Sequence, residues 1–131
     1  MIYGIGTDLV RLDRIGKLYE RYGDHFAGRL LLPREAEAFQ GQARPVRFLA
    51  MRFAAKEAIV KAMGTGFAHG MWIRDCGIAA NAWGKPEIIW SPRGQAMCDR
   101  LGIGEGHVTL TDEADFAVAF AVLMRSSPAH I

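Results

Sequence analysis

The sequence predicts an α+β fold in which a mainly antiparallel sheet packs against one long helix and several short helices. Short β-prone runs bounded by turn residues lie at both ends of the chain. Apolar residues at helical spacing fill most of the first half. The chain has 131 residues, of which 50% are hydrophobic, and this suits one domain with one core. We therefore expect residues 1–131 to form a single domain.

The N-terminal segment is predicted to be a strand followed directly by a helix. Residues 2–10 are apolar and β-prone, and Gly4, Gly6 and Asp8 alternate onto one side of the strand. That side has room for the close approach of another backbone. The helix should run from residue 9 or 10 to Tyr22, because apolar residues recur there every three and four positions.

Three more helices are predicted before the middle of the chain. The first covers residues 24–29, and the second covers residues 34–39, where Pro33 suits the first helical turn. The third is the long helix, over residues 46–63, which is rich in strong helix formers. Gly64 suits the left-handed position that ends it.

The C-terminal half is predicted to contain two pairs of strands separated by one helix. Turns rich in Asn, Gly, Pro or acidic residues separate the members of each pair. Pro92 begins the helix, which ends near Leu101. The tail from Ser126 is expected to fray. The four strands cover residues 72–80, 87–90, 107–111 and 116–124.

Composition and charge argue against several classes of protein. The net charge of +2 is too small for a nucleic-acid partner. No leader is evident and no apolar run approaches the ~20 residues that cross a bilayer, so we expect a soluble, cytoplasmic protein without a membrane partner. Cys76 and Cys98 lack the spacing of a zinc site or disulfide framework, and we interpret them as free, buried thiols.

The long helix carries an unusual group of charges. Glu57 and Lys61 are four residues apart and share a face, while Arg52 and Lys56 have the same spacing on an adjoining face. Three cations around one carboxylate leave an excess that a bound anion would balance. Spacing alone favours an ordinary solvent-exposed pair for Glu57 and Lys61, and it suits a solvated charged face equally well for Arg52 and Lys56. The alanine-rich, apolar surroundings favour a half-buried site.

Asp8 also has two interpretations. An aspartate between a strand and a helix is a favoured N-cap. Alternatively, Asp8 and Glu57 supply the one or two carboxylates with which proteins usually hold Mg²⁺ beside substrate phosphates. With Lys61 and Arg52 they provide the groups that phosphoryl transfer requires.

Other motifs are weaker. The Gly4–Leu9 segment begins like a dinucleotide-binding fingerprint, but Leu9 stands where the third glycine belongs and no parallel βαβ pattern follows. The histidines lack ligand spacing and are interpreted as surface or packing residues: His25, His69, His107 and His130.

Three segments together resemble the holo-acyl-carrier-protein synthase family of 4′-phosphopantetheinyl transferases. They are Gly-Ile-Gly-Thr-Asp at 4–8, Arg-Phe-Ala-Ala-Lys-Glu-Ala at 52–58 and Lys-Ala-Met-Gly-Thr-Gly at 61–66. The similarity continues over nearly the whole chain, and it implies the 4′-phosphopantetheinyl transferase fold. Further similar segments are Leu32–Glu35, Gly84–Pro86 and His107–Phe120.

The resemblance implies a specific reaction. The phosphopantetheine arm of coenzyme A, the co-substrate, would pass to a serine of apo acyl-carrier protein, releasing adenosine 3′,5′-bisphosphate and requiring Mg²⁺. Asp8 and Glu57 match the family's metal ligands, Lys61 would contact the diphosphate, and Arg52 would pair with a coenzyme A phosphate. Asp8, Glu57 and Lys61 would thus be the catalytic residues, with either Glu57 or a metal-bound water as the general base.

The resemblance also implies further contacts and a homotrimer with active sites at subunit interfaces. The carrier protein would dock on basic and apolar residues of the first two helices. The implied docking residues are Arg14, Arg21, Phe26 and Arg29. The remaining implied coenzyme A contacts are Lys56, Gly64, Gly84, Lys85, Pro86 and Thr111.

One position departs from the family pattern. Asp112 stands where many members have a histidine, and an aspartate cannot donate a hydrogen bond to a phosphate. Two other functions stay open at this point. One is a non-catalytic module that binds coenzyme A or a nucleotide, and the other is a basic adaptor that only docks acidic carrier proteins.

Overall fold

The computed structural model describes residues 1–127, and His130 therefore lies outside the described residues. The α+β class is confirmed. Ser126, where fraying was expected to begin, still donates its backbone N–H to the Gly102 carbonyl at 2.9 Å. In chain order the elements are β1 (Ile2–Arg11), α1 (Leu12–Tyr22), α2 (Asp24–Leu30), α3 (Pro33–Phe39), α4 (Pro45–Met63), β2 (Cys76–Ala80), β3 (Pro86–Trp90), α5 (Pro92–Leu101), β4 (Ile103–Glu113) and β5 (Phe116–Arg125).

The strands form two antiparallel sheets. The larger has the order β1–β5–β4, and β2 and β3 form a separate pair. β1 pairs with β5, and Asp8 is opposite Ala119. The long helix α4 covers the inner face of the larger sheet and supplies much of the core. No helix within residues 1–127 is long and apolar enough to cross a bilayer.

Two glycines set how closely α4 approaches β1. A Cβ atom at Gly4 would lie 2.0 Å from the Ala62 carbonyl oxygen, and one at Gly6 would lie 2.1 Å from that of Ala58. No side chain fits in so small a gap. The prediction that this side of the strand faces another backbone is therefore confirmed. Asp8, two residues further along the same face, is directed toward the C-terminal half of α4.

The helix ends largely follow their sequence signals. Gly64 is left-handed, with φ 82°, and its N–H bonds the carbonyls of Val60 and Lys61. Pro33, Pro45 and Pro92 each occupy a first helical turn.

Two strand predictions need correction. Residues 72–75 form a turn and not part of β2, because Asp75 accepts a hydrogen bond from the Trp72 N–H at 2.8 Å and donates its own N–H to the Trp72 carbonyl. β4 begins at Ile103, earlier than expected, since pairing with Arg125 and an irregular register extend it.

Candidate active site

Asp8 and Lys61 are in direct contact. The Lys61 Nζ donates to Asp8 Oδ1 at 3.1 Å and to the Thr7 carbonyl at 3.1 Å. Asp8 lies within β1, and the N-cap of α1 is Arg11, which makes no side-chain capping bond. The N-cap interpretation of Asp8 is therefore wrong. Its side chain is 15% exposed and that of Lys61 is 50% exposed, so the pair borders solvent and can meet a ligand.

Glu57 lies one helical turn before Lys61 and is half-buried. Burial raises the pKa of the Glu57 carboxyl, and the negative charge of Asp8 raises it further, while Lys61 and Arg14 lower it. The two carboxylates are therefore close enough to repel each other. The structure thus brings together Asp8, Glu57 and Lys61, which are far apart in the sequence.

This donor set fits magnesium. Within residues 1–127 no group of three or more His, Cys, Asp or Glu side chains could hold a metal ion. Magnesium does not need such a cage, because one or two carboxylates suffice when substrate phosphates and waters complete its coordination. Asp8 and Glu57 would hold the ion, whose charge would relieve their mutual repulsion.

Arg14 lies beside this site. Its guanidinium lies over the Phe53 ring, 5.5 Å from the centroid, and its charge lowers the pKa of Glu57. The other three predicted docking residues follow along α1 and α2. Arg21 stacks over Tyr22 at 5.2 Å, Phe26 packs against the core, and Arg29 is exposed in the last turn of α2.

Arg52 lines a small cavity of about 260 Å³ with several predicted coenzyme A contacts. Gly84 and Pro86 belong to the same lining, whereas Lys85 does not. Thr109 lines it in place of the predicted Thr111. Both threonines share one face of β4, so alternation alone could not choose between them. The full lining is Arg52, Ile78, Ala80, Gly84, Pro86, Thr109 and Leu110.

The prediction that Lys56 contacts coenzyme A is wrong. Its side chain is fully buried, and its Nζ donates to Glu35 Oε1 at 2.7 Å and to the Cys76 carbonyl. Spacing on α4 correctly separated Lys56 from Lys61 but could not show which face is buried. The carboxylate of Glu35, on α3, neutralises this lysine.

Glu35 also lies near Arg52. The Arg52 Nε is 3.5 Å from Glu35 Oε2, and the guanidinium stacks over the Phe48 ring at 4.1 Å. Burial lowers the pKa of Arg52 and the charge of Glu35 raises it. The arginine is thus held from one side while it borders the cavity on the other. Glu35 was not singled out from the sequence, although it belongs to the Leu32–Glu35 segment that carried the resemblance.

Asp112 is held by Arg47. The Arg47 Nε and Nη2 each donate to one carboxylate oxygen at 2.8 Å, and this bidentate pair lowers the pKa of Asp112. Asp112, which stands where many family members carry a histidine, therefore orients the guanidinium of Arg47. Arg47 was not singled out from the sequence, because no local spacing connects it with Asp112.

Both cysteines are free and buried, as predicted. Burial raises the pKa of the Cys76 thiol to about 12 and that of Cys98 to about 11. Thiols that stay protonated at neutral pH are poor nucleophiles and poor metal ligands. Neither cysteine contributes chemistry to the site.

Comparisons with known proteins identify the family of this chain. The model of the 4′-phosphopantetheinyl transferase superfamily matches residues 4–121. The holo-[acyl-carrier-protein] synthase of Neisseria meningitidis serogroup C is 45% identical over 122 residues, which cover 93% of this chain and 98% of that protein.

Solved structures with a similar fold belong to the same family. The crystal structure of holo-[acyl-carrier-protein] synthase from Neisseria meningitidis has a TM-score of 0.90 at 44% identity and covers 95% of this chain and 100% of that chain. A Bacillus anthracis holo-(acyl-carrier-protein) synthase in complex with CoA (3′,5′-ADP) has a TM-score of 0.78 at 35% identity, with 97% and 99% covered. The chain therefore belongs to the 4′-phosphopantetheinyl transferase superfamily, among its holo-[acyl-carrier-protein] synthases.

Proposed function

We propose that this enzyme transfers the 4′-phosphopantetheine arm of coenzyme A to a serine of apo acyl-carrier protein. The observation that carries the proposal is the meeting of Asp8, Glu57 and Lys61 at one solvent-bordered point of a fold shared with holo-[acyl-carrier-protein] synthases. The two carboxylates suit a divalent counterion, and the ammonium group suits the diphosphate that this counterion accompanies. The relative from Bacillus anthracis binds coenzyme A, which supports this choice of donor.

The reaction would be an in-line displacement. The serine oxygen forms a bond to the β-phosphorus of coenzyme A, and the bond from that phosphorus to the leaving adenosine 3′,5′-bisphosphate breaks. Lys61 is held by Asp8 and the Thr7 carbonyl, so its ammonium group can offer a remaining N–H to a diphosphate oxygen without a large rearrangement. Of this chain's own groups, Glu57 would accept the serine proton.

Asp8 and Glu57 would hold Mg²⁺, which would neutralise diphosphate charge when bound. Arg52, with Gly84 and Pro86, would hold the nucleotide end of coenzyme A in the 260 Å³ cavity. The fixed orientation of Arg52 over Phe48 favours recognition of a phosphate. The same proposal places the enzyme in the cytoplasm, where two free thiols would stay reduced.

The direct test is incubation with apo acyl-carrier protein, coenzyme A and Mg²⁺, followed by intact-mass analysis of the carrier. We expect the carrier to gain the mass of one phosphopantetheine arm, and we expect a chelator to prevent the gain. The absence of any gain on several apo carriers would overturn the proposal. Coenzyme A binding without transfer would instead indicate a non-catalytic binding module.

The enzyme is also proposed to be a homotrimer with active sites at the subunit interfaces. The outer face of the larger sheet carries large apolar side chains in solvent, with Ile5 60%, Leu9 61% and Phe120 42% exposed. Such a face is typical of a surface that is covered by another subunit. Light scattering should give about three times the chain mass of 14.4 kDa, and Leu9→Asp should reduce this to monomer. A wild-type monomer with full transfer activity would contradict the proposal.

A further inference from the structure

Trp83 lies almost completely in solvent, at the rim of the cavity that Arg52 lines. It is 94% exposed, although tryptophan is usually well covered in folded proteins. It is the central residue of the turn 81–85, which joins β2 to β3. Ala80 and Pro86, which flank this turn, pair with each other across the two strands, and both line the cavity. The turn that carries Trp83 therefore rises directly from the cavity edge.

The backbone of this turn is held firmly. The Asn81 Oδ1 accepts hydrogen bonds from the backbone N–H groups of Trp83 at 2.8 Å and of Lys85 at 3.1 Å. The Gly84 N–H donates to the Asn81 carbonyl at 2.9 Å, and Gly84 is left-handed, with φ 82°, as glycine readily allows. The position of Trp83 is thus fixed, while its exposed side chain is free to rotate between rotamers.

The cavity is too small to enclose a whole nucleotide. Its volume is about 260 Å³. Pockets that bury most of a drug-sized ligand have volumes of ~300–1,000 Å³. A nucleotide with a phosphate at Arg52 would therefore keep part of its surface outside the cavity. Among the lining residues only Arg52 is charged, and the others offer apolar groups, a hydroxyl or backbone that suit a base: Ile78, Ala80, Gly84, Pro86, Thr109 and Leu110.

The charges around Arg52 leave room for a phosphate. The carboxylate of Glu35 lies between two cations, Lys56 at 2.7 Å and Arg52 at 3.5 Å, so one positive charge is not balanced within this cluster. The Arg52 Nε is buried and has no hydrogen-bond partner within residues 1–127. A donor without an acceptor is costly in a folded protein. A phosphate oxygen would supply both the missing charge and an acceptor.

We propose that Trp83 stacks on the adenine base of coenzyme A and favours purine nucleotides at this site. This inference rests on the proposed transferase function, which supplies coenzyme A as the nucleotide. With a phosphate at Arg52, the base lies against Gly84 and Pro86, and the indole rotates to cover its outer face. Aromatic side chains stack well on bases, whose flat faces match their own. Stacking also removes the large apolar surface of Trp83 from water.

The test measures the affinity of the full chain for adenosine 3′,5′-bisphosphate by calorimetry. Trp83→Ala should raise the Kd about tenfold, because a stacked aromatic ring contributes that much to the binding of a base. Trp83→Phe should raise it by about threefold or less, since a phenyl ring still stacks. In the transfer assay Trp83→Ala should raise the KM for coenzyme A about tenfold and leave kcat and the KM for the carrier unchanged.

Controls separate stacking from a general loss of binding. Trp72→Ala removes a tryptophan that is 64% exposed but lines a different groove, and it should keep the wild-type Kd. Cytidine 3′,5′-bisphosphate carries the same phosphates on a smaller base, so Trp83→Ala should weaken its binding less than that of the adenosine compound. The adenosine compound should also quench the tryptophan fluorescence of wild type more than that of Trp83→Phe.

These binding measurements use the nucleotide alone and do not depend on transfer of the arm. A chain that transfers no arm but binds the nucleotide through Trp83 would count against the transferase function and not against stacking. An equal Kd for wild type and Trp83→Ala, or an equal loss for both nucleotides, would overturn stacking whatever the transfer assay shows. A change of oligomer mass in Trp83→Ala, measured by light scattering, would also overturn it, because Trp83 would then be a subunit contact.

Discussion

Replacing Glu57 with Gln is expected to lower the rate of arm transfer by about 10²–10³-fold. Glutamine keeps the shape of the side chain but removes one of the two carboxylate charges that would hold magnesium, the other being that of Asp8. It also removes the carboxylate that can accept the serine proton. The rate should be followed by intact mass at saturating coenzyme A and carrier, so that the loss appears in kcat.

The control for this variant is its stability in metal-free buffer. Burial and Asp8 raise the pKa of Glu57, so the charged form is disfavoured in the folded protein. Glu57→Gln should therefore unfold at a temperature equal to or above that of wild type at neutral pH. This advantage should shrink as the pH falls through the raised pKa of Glu57 and disappear below the ordinary pKa of a glutamate, where the carboxyl is protonated in both states.

A matched substitution, Glu37→Gln, alters an exposed glutamate on α3 and should leave the rate unchanged. A Glu57→Gln enzyme that keeps a rate within a few-fold of wild type would remove Glu57 from the catalytic assignment. A loss of activity accompanied by unfolding would have the same consequence, because the loss would then reflect the fold.

The N-terminal strand shows what local pattern can predict. Gly4, Gly6 and Asp8 share a face because side chains alternate along a strand, and the missing Cβ atoms predict close approach of a backbone. The structure supplies that backbone from α4 and places Asp8 against Lys61. The sequence could not show which segment approaches, since that depends on the packing of residues more than 50 positions apart.

Lys56 shows where the same reasoning fails. Spacing on a helix tells which residues share a face but not which face is covered. Lys56 faces Glu35 on α3, and the carboxylate that neutralises it is distant in sequence. Arg47 and Asp112 are another such pair, 65 positions apart. Ion pairs between elements are settled by tertiary packing, and a single sequence carries little information about them.

The prediction of a strand over residues 72–75 failed for a different reason. Its apolar residues suit a strand, but the side chain of Asp75 satisfies the Trp72 N–H locally and removes it from any sheet. The resulting turn leaves the Trp72 side chain exposed to solvent. Local side-chain hydrogen bonds therefore decided both the strand boundary and the exposure of Trp72.

Replacing Lys56 with Met should destabilise the protein by about 3–5 kcal/mol. Glu35 is completely buried and accepts hydrogen bonds from Lys56 and from the backbone N–H groups of Leu32 and Ile78. Removal of the lysine leaves a buried carboxylate without its closest cation, and the cost of such an uncompensated charge is large. The free energy of unfolding in urea, measured at a fixed protein concentration, reports the effect.

The double variant Glu35→Leu with Lys56→Met separates the cost of the unpaired charge from the value of the pair itself. Buried ion pairs replaced by apolar residues of similar size are often as stable as before, so the double variant should recover most of the loss. Lys17→Met, at an exposed lysine on α1, should change stability by less than about 0.5 kcal/mol. Equal destabilisation in the single and double variants would mean that packing around Lys56, and not its charge, holds α3 against α4. Glu35 Oε2 also lies 3.5 Å from the Arg52 Nε. A double variant that is stable but has a raised KM for coenzyme A would therefore indicate a second role for the Glu35–Lys56 pair, the positioning of Arg52 for a phosphate.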